Sequence, residues 1–252
     1  MRDSRRKEIA AYIARRREAT MKELCSAFRV SMNTVRADIA FLERTGTVEK
    51  VYGGVRSVAR QEIPVFTHRT LIKPDAKLAI ARAAARFIEA GDTLFIDAGT
   101  TTMNVLDSLP RDIRLTVVTA NLHIISRAVE MPGVDLIVLP GSLNRRTNSL
   151  SDVSTLEFLG RYHFAKALMA ATGLSSDGKL NVSSYLECEI KQLAVRQSER
   201  RILLCDGGKF GAAGLLSYAE LSDMDRLITD APSPAALRSL CESCGVALTE
   251  AE

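Results

Sequence analysis

The sequence predicts an α/β protein in two parts, an N-terminal winged helix-turn-helix followed by an open, mostly parallel α/β sheet. Three observations predict it. Charge is unevenly divided, with 14 Lys or Arg against 7 Asp or Glu in residues 1 to 60, and 20 against 23 in residues 61 to 252. The first part carries short helical periodicities and then a glycine-containing hairpin signal. From residue 93 onward, short apolar runs alternate with helical segments.

From Ser4 to Arg17, Ile9, Ile13 and the alanines between them recur at helical spacing, which leaves Arg5, Arg6, Lys7, Arg15, Arg16 and Arg17 for the outside. Thr20 precedes a second, two-turn helix with Met21, Leu24, Cys25 and Phe28 on one face. Thr20 and Glu23 have capping-box spacing. Ser31 is an N-cap residue for a third helix, in which Val35, Ile39 and Leu42 form the apolar stripe and Gly46 supplies the stop. Two short helices joined by a tight turn make a helix-turn-helix.

In that geometry the exposed N-terminal residues of the third helix meet base edges in the major groove. Here they are Met32, Asn33, Thr34 and Arg36. Arginine bonds guanine bidentately, asparagine does so to adenine, and the Ser31 and Thr34 hydroxyls suit phosphates. Thr20, at the start of the second helix, is counted with this set. Residues 48–51 and 55–58 are β-type runs around Tyr52, Gly53 and Gly54, which reads as a wing. Lys50, Tyr52 and Arg56 are expected against the sugar-phosphate backbone. The basic excess disfavours the other reading, a three-helix module without DNA contacts.

Residues 59 to 74 read as a linker containing Pro64, His68 and Pro74, so the expected parts are 1–58, 59–74 and 75–252. An alanine-rich helix over 75–90 offers Leu78, Ala79, Phe87 and Ile88 to a core, and Gly91 and Asp92 turn the chain. Apolar runs at 93–96, 115–118, 135–139, 165–171, 201–205 and 226–229 alternate with helices at about 101–109, 122–130, 152–160 and 185–197. Such alternation implies a parallel sheet.

Ligands of open α/β sheets bind outside the C-terminal ends of the strands. Those ends are polar here: Asp97-Ala98-Gly99-Thr100-Thr101-Thr102, Thr119-Ala120-Asn121, Pro140-Gly141-Ser142, Thr172-Gly173, Asp206-Gly207-Gly208-Lys209 and Thr229-Asp230. Gly99 followed by three threonines at a helix start offers free N–H groups and hydroxyls to a phosphate. Lys191 and Lys209 add positive charge, and Asp97, Glu187 and Asp206 suit sugar hydroxyls. Each loop alone is ordinary turn chemistry; several at one sheet edge indicate a ligand crevice.

Other classes are disfavoured. No GxGxxG follows a strand and no GxxxxGK[ST] occurs, against a dinucleotide site and an NTPase. His68, His123 and His163 lack metal-ligand spacing, so neither a metal nor any cofactor is expected. Cys25, Cys188, Cys205, Cys241 and Cys244 are an odd, scattered set, expected as reduced thiols rather than a disulfide framework. A mean hydropathy of +0.03 and the lack of an apolar run of membrane-spanning length predict a soluble, cytoplasmic chain.

At residues 30–55 the segment VSMNTVRADIAFLERTGTVEKVYGGV resembles the helix-turn-helix and wing of the DeoR family of bacterial regulators. Thr34, Val35, Arg36, Asp38, Ile39, Leu42, Glu43, Gly46, Gly53 and Gly54 fit the pattern, while Ala37 replaces a usual Arg and Tyr52 a common His. GDTLFIDAGTTT, VVTAN, TGLSSDGKL, ECEIK and CDGGKFG are similar, in order and spacing, to that family's sensor domain, so the resemblance runs from about residue 4 to residue 230. Departures lie at Gly141-Ser142, Ala165 and Gly208.

The resemblance implies a fold like that of ribose-phosphate isomerases, a phosphorylated sugar effector, and repression of a carbohydrate operon that the effector relieves. No enzymatic activity is expected. A homodimer or homotetramer is expected because one helix-turn-helix reads only a half-site of double-stranded operator DNA. Two other readings stand beside this one. In the first, an active sugar-phosphate isomerase uses Glu187, Glu189 or Asp97 as a base with Lys209 polarising a carbonyl. In the second, a constitutive regulator binds DNA and no ligand.

Overall fold

Apolar residues at helical spacing in the first forty positions form α1 (Arg2–Arg16), α2 (Met21–Phe28) and α3 (Met32–Arg44), with the three-residue strand β1 (Glu18–Thr20) between α1 and α2. The computed structural model describes residues 2–16, 18–44, 47–57 and 66–252, so Arg17, Gly46, Val58 and Pro64, singled out in the sequence, lie outside the described residues. The chain divides into two units, 1–63 and 64–252.

In the first unit, Ile9, Ile13, Leu24, Val35, Ile39 and Leu42 bury against one another and against Val48 and Val55 of the hairpin. The hairpin strands are β2 (Val48–Val51) and β3 (Gly54–Ser57). β3 lies between β2 and β1, a three-stranded antiparallel sheet in which β1 had no periodic signal in the sequence. The Thr20–Glu23 capping box forms, and Arg29 ends α2 in the left-handed region at φ 51°.

Asp38 fixes α1 against α3. Its buried carboxylate accepts from Arg5 Nε at 2.8 Å and Arg6 Nε at 3.0 Å. Arg6 also stacks on Phe41, 4.0 Å from the ring centroid.

The second unit opens with α4 (Phe66–Thr70) and α5 (Pro74–Ala85). The expected linker is therefore shorter than the sequence indicated: Phe66 is fully buried, its N–H donates to Arg146 O at 3.0 Å, and its ring stacks on His123 at 5.0 Å. α5 also takes a different phase from the one expected. It turns Lys77, Ile80, Ala81 and Ala84 inward and leaves Leu78 exposed, because residues three and four apart share a helix face.

The strands that follow are β4 (Thr93–Ile96), β5 (Leu115–Thr119) and β6 (Val134–Val138), with α6 (Leu122–Ala128) between the last two. Where a helix was expected at 101–109 there are two short 3-10 turns, Thr102–Asn104 and Leu106–Ser108. A two-stranded ribbon, β7 (Ser142–Asn144) and β8 (Ser149–Ser151), leads into α7 (Val153–Leu159). Next come β9 (Phe164–Ala170), β10 (Gly173–Leu174), β11 (Lys179–Val182), α8 (Tyr185–Arg196), β12 (Ser198–Leu204), β13 (Leu216–Glu220), β14 (Arg226–Asp230), α9 (Ala235–Cys244) and β15 (Ala247–Ala251).

Seven strands form one sheet in the order β15-β14-β12-β9-β4-β5-β6, and every adjacent pair is parallel. Strands β10, β11 and β13 make a small antiparallel sheet. Alternation along the central strands feeds two cores. Phe95, Val118, Met169 and Leu203 pack with Leu159, Ile190 and Leu237 on one face, while Leu94, Ile96, Val117 and Leu168 pack with Ile80, Ala84 and Ile124 on the other. All five cysteines are free thiols, and Cys188, Cys205 and Cys241 are buried. No described helix is long and apolar enough to cross a membrane.

Burial pushes the Asp38 carboxyl up, but hydrogen bonds and charge from Arg5 and Arg6 outweigh it and hold the group below the usual carboxylate range. A depressed folded-state pKa gives stability that is present above the unfolded pKa and lost as pH falls through the folded one. Asp38→Asn is expected to cost the first unit about 2 kcal/mol at neutral pH and to flatten its acid-side stability loss. Urea titrations of the intact protein at several pH values, followed by circular dichroism, check both; an unchanged midpoint at pH 7 would contradict the role given to Asp38.

Candidate nucleic-acid interface and ligand crevice

The N-terminal turn of α3 presents Asn33 and Arg36 to solvent, with Met32 and Thr34 half-buried. Ser31 is spent on capping: its Oγ accepts from Thr34 N at 3.3 Å and pairs with Thr34 Oγ1 at 2.9 Å. Its carbonyl accepts from Val35 N at 3.0 Å. Thr20 is likewise tied to Glu23 through its N–H at 2.7 Å and its hydroxyl at 2.9 Å. Arg36 and Asn33 are thus the members of the expected base-reading set that are exposed and whose polar ends have no partner among the described residues.

On the hairpin, Tyr52 stands fully exposed at the tip beside Gly53, whose φ of 85° favours glycine. Lys50 and Arg56 are exposed as expected, but each meets a carboxylate: Lys50 Nζ lies 2.5 Å from Glu43 and Arg56 Nη2 lies 2.6 Å from Glu49.

In the second unit, the order of the sheet reverses between β4 and β9, since the chain runs from β4 outward to β6 and then returns to the other flank. A crevice is expected at such a switch. Asp97, just past β4, accepts from Ala170 N of β9 at 2.9 Å and contacts Lys191 of α8. Lys191 also donates to Ala170 O at 2.9 Å, and all of these atoms are buried. Gly99 closes on the same place: a Cβ there would lie 2.5 Å from the Ala170 Cβ.

Beside this clamp a small cavity is lined by the apolar residues Phe95, Leu139, Leu186 and Ile190 and by the polar residues Asn144, Thr147, Ser149, Ser151 and Ser184. Of the ten expected ligand residues, Asp97, Glu187 and Lys191 line it. Glu187 lies 3.7 Å from Lys191; burial pushes its carboxyl above the usual range, against the pull of Lys191 and Arg69.

Gly99, Thr100, Thr101, Thr102, Asn121, Asp206 and Lys209 do not line the cavity. Thr102 and Asn121 are used internally. The Thr102 hydroxyl donates to Asp97 O at 2.7 Å, and the Asn121 side chain caps α6 through His123 N at 2.9 Å. The N–H groups of Thr100, Thr101 and Thr102 have no acceptor among the described residues, and the buried Thr101 Oγ1 has no partner. Lys209 Nζ donates to Ala171 O at 2.9 Å and lies 4.0 Å from Asp206, which caps the turn at Gly208.

Two cations absent from the sequence-based set belong here. Arg69 of α4 feels the charges of Glu187, Asp97 and Arg146, and its buried Nε has no partner. Lys77 of α5 is buried and donates to Arg69 O; burial, reinforced by Lys209, pulls its ammonium down to about 8. A lysine sitting on the apolar stripe of α5, three residues before Ile80 and four before Ala81, was the available signal for Lys77. Arg69 gave none, because its five-residue helix is too short to show a period.

Comparison with known proteins agrees with both units. Residues 5–61 match the family model described as the DeoR-like helix-turn-helix domain, and residues 72–231 match the DeoR C terminal sensor domain. The chain is 38% identical over 225 residues to the HTH-type transcriptional regulator IolR of Bacillus subtilis (strain 168), covering 89% of this chain and 90% of that protein. It is 29% identical over 213 residues to the glycerol-3-phosphate regulon repressor of Escherichia coli (strain K12), covering 84% of each. Among solved structures, ribose 5-phosphate isomerase A from Methanocaldococcus jannaschii is similar at 13% identity and a TM-score of 0.39 over 54% of each chain. With both units matched in order and nearly the whole length shared with a named regulator, the chain belongs to the DeoR family of transcriptional regulators.

Proposed function

We propose that this regulator is a cytoplasmic repressor of a carbohydrate operon, and that a phosphorylated sugar or sugar derivative bound in its second unit releases operator DNA. The observation that carries the reading is the convergence of Arg69, Lys77, Lys191 and Lys209 with three free N–H groups at one edge of a parallel sheet, beside a cavity with hydroxyl-bearing and apolar walls. Cations and free amides suit a phosphate, while the mixed walls suit the carbon–hydrogen face and hydroxyls of a sugar. The name of the relative that represses a glycerol-3-phosphate regulon supports the same effector class.

On the DNA side, Arg36 and Asn33 read bases from α3 in the major groove, and Tyr52 meets the backbone from the wing. One head covers a half-site, so the working form is a dimer or tetramer on a repeated operator. The effector releases DNA to the extent that it binds the low-affinity conformation more tightly.

Fluorescence anisotropy on DNA from upstream of the protein's own gene, with and without a panel of sugar phosphates, tests both halves at a stated salt concentration. Specific binding weakened by one compound is expected; specific binding indifferent to all of them would remove the effector reading and leave a constitutive regulator. Arg36→Ala is expected to lose about 1 to 3 kcal/mol of specific binding, and wild-type affinity in that variant would move the base-reading residues elsewhere. Arg69→Gln and Lys77→Gln are expected to keep operator binding and to need at least tenfold more effector for release. If either variant responded as wild type does, that cation would not belong to the anion subsite.

A further inference from the structure

The wing carries its cations in an unusual state. Arg56 sits on the middle strand β3, directly across from Glu49 on β2 and from Glu18 on β1, so the three side chains form one row across the sheet. Arg56 lies 2.6 Å from Glu49 and 3.8 Å from Glu18. Lys50 reaches from β2 to Glu43 on α3 at 2.5 Å. Three carboxylates thus face two cations at the part of the head expected on the sugar-phosphate backbone, and all five side chains are exposed. In contrast, Lys22, Arg29, Arg36 and Arg44, on the helices or the turn between them, have no carboxylate partner among the described residues.

Resting on the DNA-binding role proposed above, we propose that Glu43 and Glu49 hold down the sequence-independent affinity of the head for DNA by restraining the wing: a phosphate can take Lys50 or Arg56 only by displacing a carboxylate. Sequence-independent binding is driven almost entirely by cations replacing the counterions of phosphates, and its strength grows with the number delivered. Holding two cations back removes that gain for any DNA. A cognate site bears the same loss but stays bound through base contacts from α3, whereas a random site has only the phosphate contacts to hold it.

The experiment uses the intact protein, a mixed-sequence duplex of about 30 base pairs, and the upstream fragment that binds specifically. Affinities are measured from 50 to 200 mM salt for wild type, for Glu43→Gln and Glu49→Gln singly and together, and for each with its partner cation removed by Lys50→Gln or Arg56→Gln. The paired Glu→Gln variant is expected to steepen the log–log salt slope on the mixed-sequence duplex by about 1.8 per head, two further phosphates at roughly 0.9 each. Its affinity is expected to rise roughly tenfold at 100 mM salt on the mixed-sequence duplex and on the specific fragment alike. In the Lys50→Gln background Glu43→Gln is expected to have no effect, which separates restraint of a partner from simple repulsion of DNA.

An unchanged slope, an unchanged mixed-sequence affinity, or a gain that persists after the partner cation is removed would each overturn the proposal. Wild-type protein that bound no duplex at all would overturn the DNA-binding role with it, whereas wild-type binding with inert glutamate variants would overturn the restraint alone. Circular dichroism of each variant, expected to match wild type because the substituted side chains are exposed, shows that the changes come from charge.

Discussion

Everything in the second unit depends on a buried charge pair at the place where the parallel sheet reverses its order. Strands β4 and β9 are neighbours in space but are separated in the chain by two strands, a ribbon and two helices, and their regular pairing ends at Ile96 and Leu168, just before Asp97 and Ala170. Asp97 ties the two ends by taking Ala170 N, while Lys191 takes Ala170 O and meets Asp97. One carboxylate and one ammonium therefore satisfy both backbone groups of a single residue across the gap. Removing one member of such a pair leaves the other buried and unmatched, at a cost of about 3 to 5 kcal/mol. Beside the pair, the N–H groups of Thr100, Thr101 and Thr102 have no acceptor among the described residues, and the cavity lies on the α8 side. Stability and the proposed ligand site share one arrangement, so substitutions at Asp97 or Lys191 are expected to disturb both.

The two units handle charge in opposite ways. The helical head buries one carboxylate, Asp38, to collect two arginines of α1 and fix the angle between α1 and α3. The sheet unit buries cations, with Lys77 and Lys191 almost fully enclosed and Arg69 half enclosed. A buried cation without a full set of acceptors is poised for an anion, because the incoming charge removes part of the desolvation cost already borne by the fold. The depressed ammonium of Lys77 and the unpartnered Nε of Arg69 are both signs of that state.

Much of the head was legible in the sequence because its signals are local: a capping box at Thr20 and Glu23, an apolar stripe at Val35, Ile39 and Leu42, and glycines at the hairpin. The parallel sheet was legible from buried apolar runs, which cannot alternate because both faces are covered. What escaped had no period to read. β1 and the ribbon strands β7 and β8 have three residues each, too few to show alternation, and α4 makes little more than one turn. α9 and β15 lay beyond the last run recognised, and β15 becomes a strand by pairing with β14 along its full length. The same limit shaped the site. Asp97 and Lys191 were found by type and place, but their use as a clamp depends on a contact between residues 94 positions apart.

The ribbon that walls the cavity hangs on the rest of the unit by main-chain bonds: Leu150 N to Ala120 O, Leu122 N to Asn148 O and Phe66 N to Arg146 O. Among its cavity-lining side chains, Asn144 accepts from Arg146 N at 3.0 Å and Thr147 Oγ1 pairs with Ser149 Oγ at 2.7 Å, bonds made inside the ribbon, so exchanges there leave its main-chain attachments to the rest of the unit in place. The clamp and the anion-facing loop lie on other segments and are spared by such exchanges. On the effector reading proposed above, a chain built this way would come to answer a different small molecule through changes at a few positions in one short hairpin, which gives gene duplication an inexpensive route to a regulator of a different pathway.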